Sequence, residues 1–312
     1  MENSAQHRTL LGVMFMSIGM FCISLNDMAV KALSGGYPLH EIVLIRSVIG
    51  ICITVGLLRF EGGFAALRVQ QPGLHVARAL CIVFANSAFY AAIVAMPLAT
   101  ASAIYFVAPL FVTLLAIPVL GEAVGPRRIA AVSVGFIGVL VILWPELDSA
   151  AGLGWVTALP VMAAAGYAVT SVLTRKLGAA APASVLAFNL QAAFILSSLA
   201  VYLIAGDGRF AAQEGISESS RFLLRAWVWP ERADLPVLAG LGLLSGIVGY
   251  SMSQAYRMAA AAVVAPFEYL LLIYSLFWGW TVFGEWPKPT VFLGAAIIVL
   301  AGVYIVWRER GK

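Results

Sequence analysis

Ten stretches of about 20 apolar residues follow one another along the chain, each long enough to cross a ~30 Å hydrocarbon layer as a helix. They cover residues 9–33, 39–58, 74–96, 99–120, 127–144, 153–174, 183–205, 235–256, 260–283 and 290–307. Lipid offers the backbone no hydrogen-bond partner, so only helices and closed barrels can span it. The runs lack the period-2 alternation of a barrel strand. An all-α membrane protein with ten transmembrane helices is the expected fold class. Composition points the same way. With 62% hydrophobic and 11% charged residues, a 312-residue chain has too few polar groups to cover a water-soluble surface, and it is far too apolar for disorder. The first run also exceeds the about 7–15 residues of a signal-peptide core, which makes it a spanning helix rather than a cleaved leader.

The basic residues give the orientation. With the N-terminus in the cytoplasm, Arg8, Arg59, Arg68, Arg127, Arg128, Arg175, Lys176, Arg257, Arg308, Arg310 and Lys312 all fall on that side. The short connections opposite hold only Lys31 and Lys288. By the positive-inside rule this is a multi-pass protein of the cell inner membrane with both termini cytoplasmic. The net charge of +4 is then a topological signal, and no nucleic-acid partner is expected. One connection is long, residues 206–234, and its Arg221, Arg225, Trp227 and Trp229 suit a segment lying in the membrane interface. Cys22, Cys52 and Cys81 sit inside apolar runs without metal-ligand spacing and read as small core hydrophobes.

The second half repeats the first at a constant offset of 163 residues (121 to 284). Gly121-Glu122 falls on Gly284-Glu285, Pro126 on Pro289, Ile142 on Ile305 and Trp144 on Trp307. Each half holds five runs, an odd number, so the second copy enters the membrane from the opposite side. The expected domains are a first five-helix repeat over 1–148 and a second over 149–312. Inverted repeats of this kind build secondary transporters, with the substrate site near the midplane where the halves meet.

Pro109 with Gly121-Glu122, and Gly284-Glu285 ending the ninth run, resemble the ten-helix branch of the drug/metabolite transporter superfamily, the EamA-type transporters, along nearly the whole chain. The string Asn26-Asp27-Met28-Ala29-Val30-Lys31, followed by Glu41 and Arg46, is similar to a subgroup that includes bacterial S-adenosylmethionine and riboflavin importers. The resemblance implies transport of a small organic metabolite, S-adenosylmethionine-like, riboflavin-like or amino-acid-like, by alternating access.

Ionisable residues at membrane depth cost about 2.5–3.5 kcal/mol on insertion scales, so each is a candidate for function. Glu268 is the strongest, about 12 Å into the ninth run at 1.5 Å per residue, just after Pro266, which removes a backbone donor. Its offset mate is Tyr105. Tyr105, Phe106 and Tyr269 would form an aromatic wall with polar tips, suited to a planar or cationic solute, and Asn26, Asn86 and Tyr90 are uncharged candidates for the same substrate site. Asp27 and Lys31 stand four residues apart, a spacing that allows an ion pair. With Glu41 and Arg46 they would form a network that either gates the outer mouth, with protons as the coupling ion, or merely holds helices in register. Glu268 or Asp27 is the expected proton-carrying carboxylate. Arg78 reads as snorkelling to headgroups, and Glu122 and Glu285 as ties within short turns.

No catalytic constellation competes with transport. His7, His40 and His75 are scattered, and no nucleotide-binding loop or hydrolase motif occurs, so no catalytic residue, metal or cofactor is expected. The expected partners are the bilayer, a small solute and protons, with the oligomeric state open. The other readings are an intramembrane lipid-acting enzyme, which needs a nucleophile or metal cluster, and a helical scaffold without transport, which predicts dispensable midplane polar residues.

Overall fold

A computed structural model describes residues 2–60, 63–67, 71–121, 125–147, 155–177, 183–212, 215–259 and 265–309. Among them are twelve α-helices and no strand. The helices are α1 (Glu2–Leu33), α2 (Leu39–Phe60), α3 (Pro72–Ala95), α4 (Leu98–Tyr105), α5 (Ala108–Leu120), α6 (Pro126–Leu147), α7 (Leu159–Leu177), α8 (Ala183–Ala205), α9 (Glu218–Leu224), α10 (Leu235–Met258), α11 (Leu270–Phe283) and α12 (Pro289–Glu309). Seven helical segments are long and apolar enough to cross a membrane, and three shorter apolar helices, Ile129–Pro145, Phe267–Phe283 and Pro289–Tyr304, occupy the fifth, ninth and tenth runs. Leu10, Leu80, Leu196, Leu203 and Leu300 are each more than 60% exposed on the bundle's flanks. Such a surface is stable only against lipid. The chain is a multi-pass membrane protein.

Local geometry recurs at the 163-residue offset. Helices α3 and α10 both have 24 residues, carry proline in their first two positions, and end on an extended residue, Met96 (φ −143°, ψ 163°) and Ala259 (φ −137°, ψ 154°). Helices α5 and α11 end on Gly121 (φ 70°) and Gly284 (φ 65°), left-handed positions where a side chain would be strained. Each of these two amides reaches two carbonyls of the last turn, those of Ala116 and Ile117 and those of Gly279 and Trp280.

The fourth run is interrupted near its middle, and the described part of the ninth begins irregularly. The fourth breaks at Phe106–Val107 between α4 and α5, just before Pro109, whose ring cannot continue the preceding ladder. The ninth opens as a 3-10 turn, Ala265–Tyr269, before α11 begins. Proline accounts for both, through Pro109 and Pro266.

The helices pack in pairs: α1 on α10, α3 on α7, α2 on α8, α6 on α12 and α4 on α11. Small residues permit the closest approaches. A Cβ on Gly138 would sit 2.8 Å from the Gly294 carbonyl, so α6 and α12 meet backbone to backbone.

The described residues of 206–234 fold back over one end of the bundle. Ser217 caps α9 by accepting from the Ser220 amide. Phe222 of α9 is 1% exposed in the core with Leu98 and Leu238, and Ser219 Oγ donates to the Ala91 carbonyl at 2.6 Å. The Arg225 guanidinium donates to the carbonyls of Ser34 and Gly35 between α1 and α2. The Val228 amide donates to Glu41 Oε2 at 3.1 Å. The Tyr37 hydroxyl donates to Asp234 Oδ2 at 2.6 Å, which holds its pKa above the ordinary phenol value. Apart from the Ser217 cap, these bonds tie the segment to helix ends, so it acts as a cap, while Trp229 is 87% exposed.

Candidate functional site

The site grows from residues that an apolar helix would normally exclude. Asn26 and Asp27 lie on α1, Arg46 on α2, and Asn86 and Tyr90 on α3. Arg46 Nη1 donates to Asn26 Oδ1 and to Tyr90 Oη, both at 2.9 Å, and Nη2 donates to Asn86 Oδ1 at 3.3 Å. The Tyr90 hydroxyl has one proton to give, to Asn26 Oδ1 at 2.8 Å or Asp27 Oδ1 at 3.3 Å. The guanidinium also lies against two rings, 5.6 Å from the Tyr90 centroid and 5.3 Å from that of Phe194. Asn26, Asp27, Arg46 and Tyr90 are all buried.

An aromatic lane leads on from this cluster. Phe89 packs against Tyr105 at 5.1 Å between centroids, Tyr105 against Tyr167 at 5.8 Å and against Phe106 at 6.5 Å, and Phe106 against Tyr269 at 5.1 Å. Tyr105 occupies the last turn of α4 and Tyr269 the end of the 3-10 turn, so the two helix breaks deliver the lane's central rings. Tyr105 and Tyr167 are half-buried. Glu268 interacts electrostatically with Tyr105, Tyr167 and Tyr269, and Asp27 with Tyr105. Gly302 of α12 makes room for the lane's far end, where a Cβ would overlap the Tyr269 hydroxyl. A concavity of about 360 Å3 between α6 and α12, walled by Ala130, Val134 and Leu300 with Arg127 at its rim, holds none of this chemistry.

The capped end carries a second polar junction. Lys31 Nζ lies 2.6 Å from Glu285 Oε1 and donates to the Met96 carbonyl at 3.0 Å, while Glu285 Oε2 accepts the Leu98 amide at 3.0 Å. One carboxylate thus joins the ends of α1, α3, α4 and α11. At the opposite end Arg78 Nε donates to Thr174 Oγ1 of α7 at 3.0 Å, and Asn189 of α8 approaches His75 Nδ1 at 3.5 Å.

The structure brings together Asn26, Asp27, Arg46, Asn86 and Tyr90, and sets Tyr105, Phe106, Glu268 and Tyr269 along one lane. It separates the four charges read as one network. Lys31 pairs with Glu285 instead of Asp27, because its long stem reaches past its own helix to the next carboxylate at the bundle end. Glu41 turns to the Val228 amide, and Arg46 to amide and phenol oxygens. Glu285 is no tie within its own turn, since it bridges the bundle; its counterpart Glu122 lies outside the described residues. Arg78 does not snorkel, being 7% exposed and bonded to α7. Cys22 is buried, but Cys52 is exposed on the lipid-facing flank. Tyr167 was missed, although a tyrosine midway along the sixth run carries the same signal as Tyr105. Nothing in the sequence marked Phe194, an ordinary apolar residue until its ring meets Arg46.

A helical bundle with a buried polar lane defines a membrane transporter class, and comparison with known proteins specifies it. Residues 10–144 match the EamA-like transporter family. The riboflavin transporter of Rhizobium johnstonii is 33% identical over 251 residues, 80% of this chain and 75% of that protein. The S-adenosylmethionine uptake transporter of Rickettsia felis is 23% identical over 308 residues, covering 99% of this chain and 96% of that one. A solved crystal structure superposes with a TM-score of 0.62 over 98% of this chain and 99% of its own, at 19% identity, and so shares the fold. The chain belongs to the EamA-like transporter family.

Proposed function

We propose that this protein is a secondary active transporter that moves a small organic metabolite by alternating access, with a planar or cationic ring system as the preferred cargo. The observation that carries this reading is the buried lane from Arg46 and Asp27 through Tyr105 to Glu268 and Tyr269, in which ring faces alternate with polar tips. Membrane interiors reject such groups unless they serve cargo or ions. In this reading Asn26, Asn86, Tyr90, Tyr105, Phe106, Glu268 and Tyr269 contact the solute. The names of the relatives, riboflavin and S-adenosylmethionine transporters, support a ring-bearing cargo.

Ten spanning helices arranged as two inverted halves, 1–148 and 149–312, underlie the motion. Two observations support this: the matched helix ends at the 163-residue offset, and the packing pairs α1 on α10 and α3 on α7, which a twofold exchange of halves interconverts. The Lys31–Glu285 junction gates the capped end, which faces outward from the inner membrane, while both termini are cytoplasmic. A proton gradient drives transport, with Glu268 or Asp27 as the titrating carboxylate.

Uptake by proteoliposomes, with and without an imposed pH gradient, tests the reading. Saturable uptake of riboflavin or S-adenosylmethionine is the expected result, stimulated by the gradient. Uptake indifferent both to the gradient and to Glu268→Gln would remove the proton-coupling claim while leaving transport intact.

A further inference from the structure

Arg46 is a buried cation with an unfinished set of partners. It is 4% exposed, and among the described residues no carboxylate lies within 4.0 Å of it. An arginine presents five N–H donors in a rigid fork. Three are used, two from Nη1 on Asn26 and Tyr90 and one from Nη2 on Asn86. Nε has no partner at all despite being buried. The partners it does have are neutral oxygens, and Asp27, whose Oδ1 can accept from the Tyr90 hydroxyl, acts on it through space without a direct hydrogen bond. The guanidinium carbon lies near the rings of Tyr90 and Phe194, and the Nε edge is the part of the group that meets no polar partner.

We infer that Arg46 is the binding group for an anionic substituent of the cargo, a carboxylate seated on the Nε–Nη2 edge. The argument rests on the transport reading given above and sharpens it. A carboxylate matches that edge with two parallel hydrogen bonds, the geometry that makes arginine the preferred partner of planar oxyanions. It would satisfy the orphaned Nε and give the buried cation a hydrogen-bonded counter-charge, where Asp27 acts on it only through space. Asn26, Asn86 and Tyr90, besides contacting the solute, then hold the fork in place, and the aromatic lane beginning at Phe89 and Tyr105 receives the rest of the molecule. The cargo is therefore amphoteric or acidic with a ring system, rather than a neutral ring alone.

The test compares ligand pairs that differ only in the anion. Thermal stabilisation of the purified protein is measured with S-adenosylmethionine against its decarboxylated analogue, and with flavin mononucleotide against riboflavin. The expected result is that S-adenosylmethionine binds at least tenfold more tightly than the decarboxylated compound, that Arg46→Gln removes this preference, and that Arg46→Lys keeps part of it. Preference for flavin mononucleotide over riboflavin, without discrimination in the first pair, would assign the edge to a phosphate and overturn the carboxylate. Equal binding within both pairs, or riboflavin as the sole ligand with unchanged affinity in Arg46→Gln, overturns the anion site altogether while leaving transport standing. The wild-type comparison needs no variant to fold. Binding of none of the four, together with no uptake of any, overturns the transport reading and this inference with it.

Discussion

Removing the Lys31–Glu285 junction should loosen the capped end by a predictable amount. The two side chains are 9% and 25% exposed, and the 2.6 Å ion pair is reinforced by the Met96 carbonyl and the Leu98 amide. Breaking a fully buried pair costs about 3–5 kcal/mol, and a hydrogen bond to a charged group contributes about 1.5–3 kcal/mol. Glu285 keeps some contact with solvent, and a glutamine there can still accept the Leu98 amide, so the pair's coupling should lie near the lower figure, about 2 kcal/mol. If the pair forms only when this end is closed, its loss raises the open population about 30-fold. Hydrogen exchange of the 91–106 segment reads that opening directly. Lys31→Met, Glu285→Gln and the double variant complete a cycle. The double variant should exchange scarcely faster than either single one, because the second substitution removes an interaction already lost. Additive effects, or exchange rates unchanged from wild type, would refute the assignment of this pair as a gate.

Other expectations are as specific. Tyr90→Phe removes the hydroxyl that accepts from Arg46, and should lower stability by about 1.5–3 kcal/mol in a thermal or denaturant melt, with weaker ligand binding. Gly302→Ala collides with the Tyr269 hydroxyl and should cost about 1–3 kcal/mol; the double variant with Tyr269→Phe should recover most of it, and no recovery would mean the ring lies elsewhere. Val228→Pro deletes the amide that Glu41 accepts and should increase protease sensitivity of residues 206–234 without altering the melt of the remaining helices by more than a few degrees. Glu268→Gln should weaken ligand binding in a thermal-shift titration and abolish the stimulation of uptake by a pH gradient.

Apolar run length is a strong signal because lipid leaves the backbone a single economical solution, and all ten runs coincide with apolar helices. The helix breaks were half legible. Pro266 announced the ninth-run turn, and Pro109 announced the fourth just as clearly by the same chemistry, but it sits inside a run whose hydropathy is otherwise unbroken. Polar residues at depth were easy to find and hard to pair. Spacing on one helix suggested Asp27 with Lys31, yet a lysine near a helix end has four methylenes with which to choose among neighbours from other helices. Glu285 is 254 residues away in the chain and was the nearer carboxylate in space. The contacts of the long connection were illegible for a related reason. Its arginines and tryptophans have the composition of an interfacial segment, and only tertiary contact shows that Arg225 spends its charge on carbonyls between α1 and α2.

The central claim is that the buried lane carries a metabolite across the membrane, and counterflow measures this most directly. Proteoliposomes preloaded with unlabelled S-adenosylmethionine or riboflavin are diluted into a trace of the labelled compound. Transient accumulation of label above that of protein-free vesicles, lost in a variant that replaces Tyr105 and Tyr269 by alanine, is the result predicted. Equal label in vesicles with and without the protein, for both compounds and with the protein shown to be folded, would contradict it.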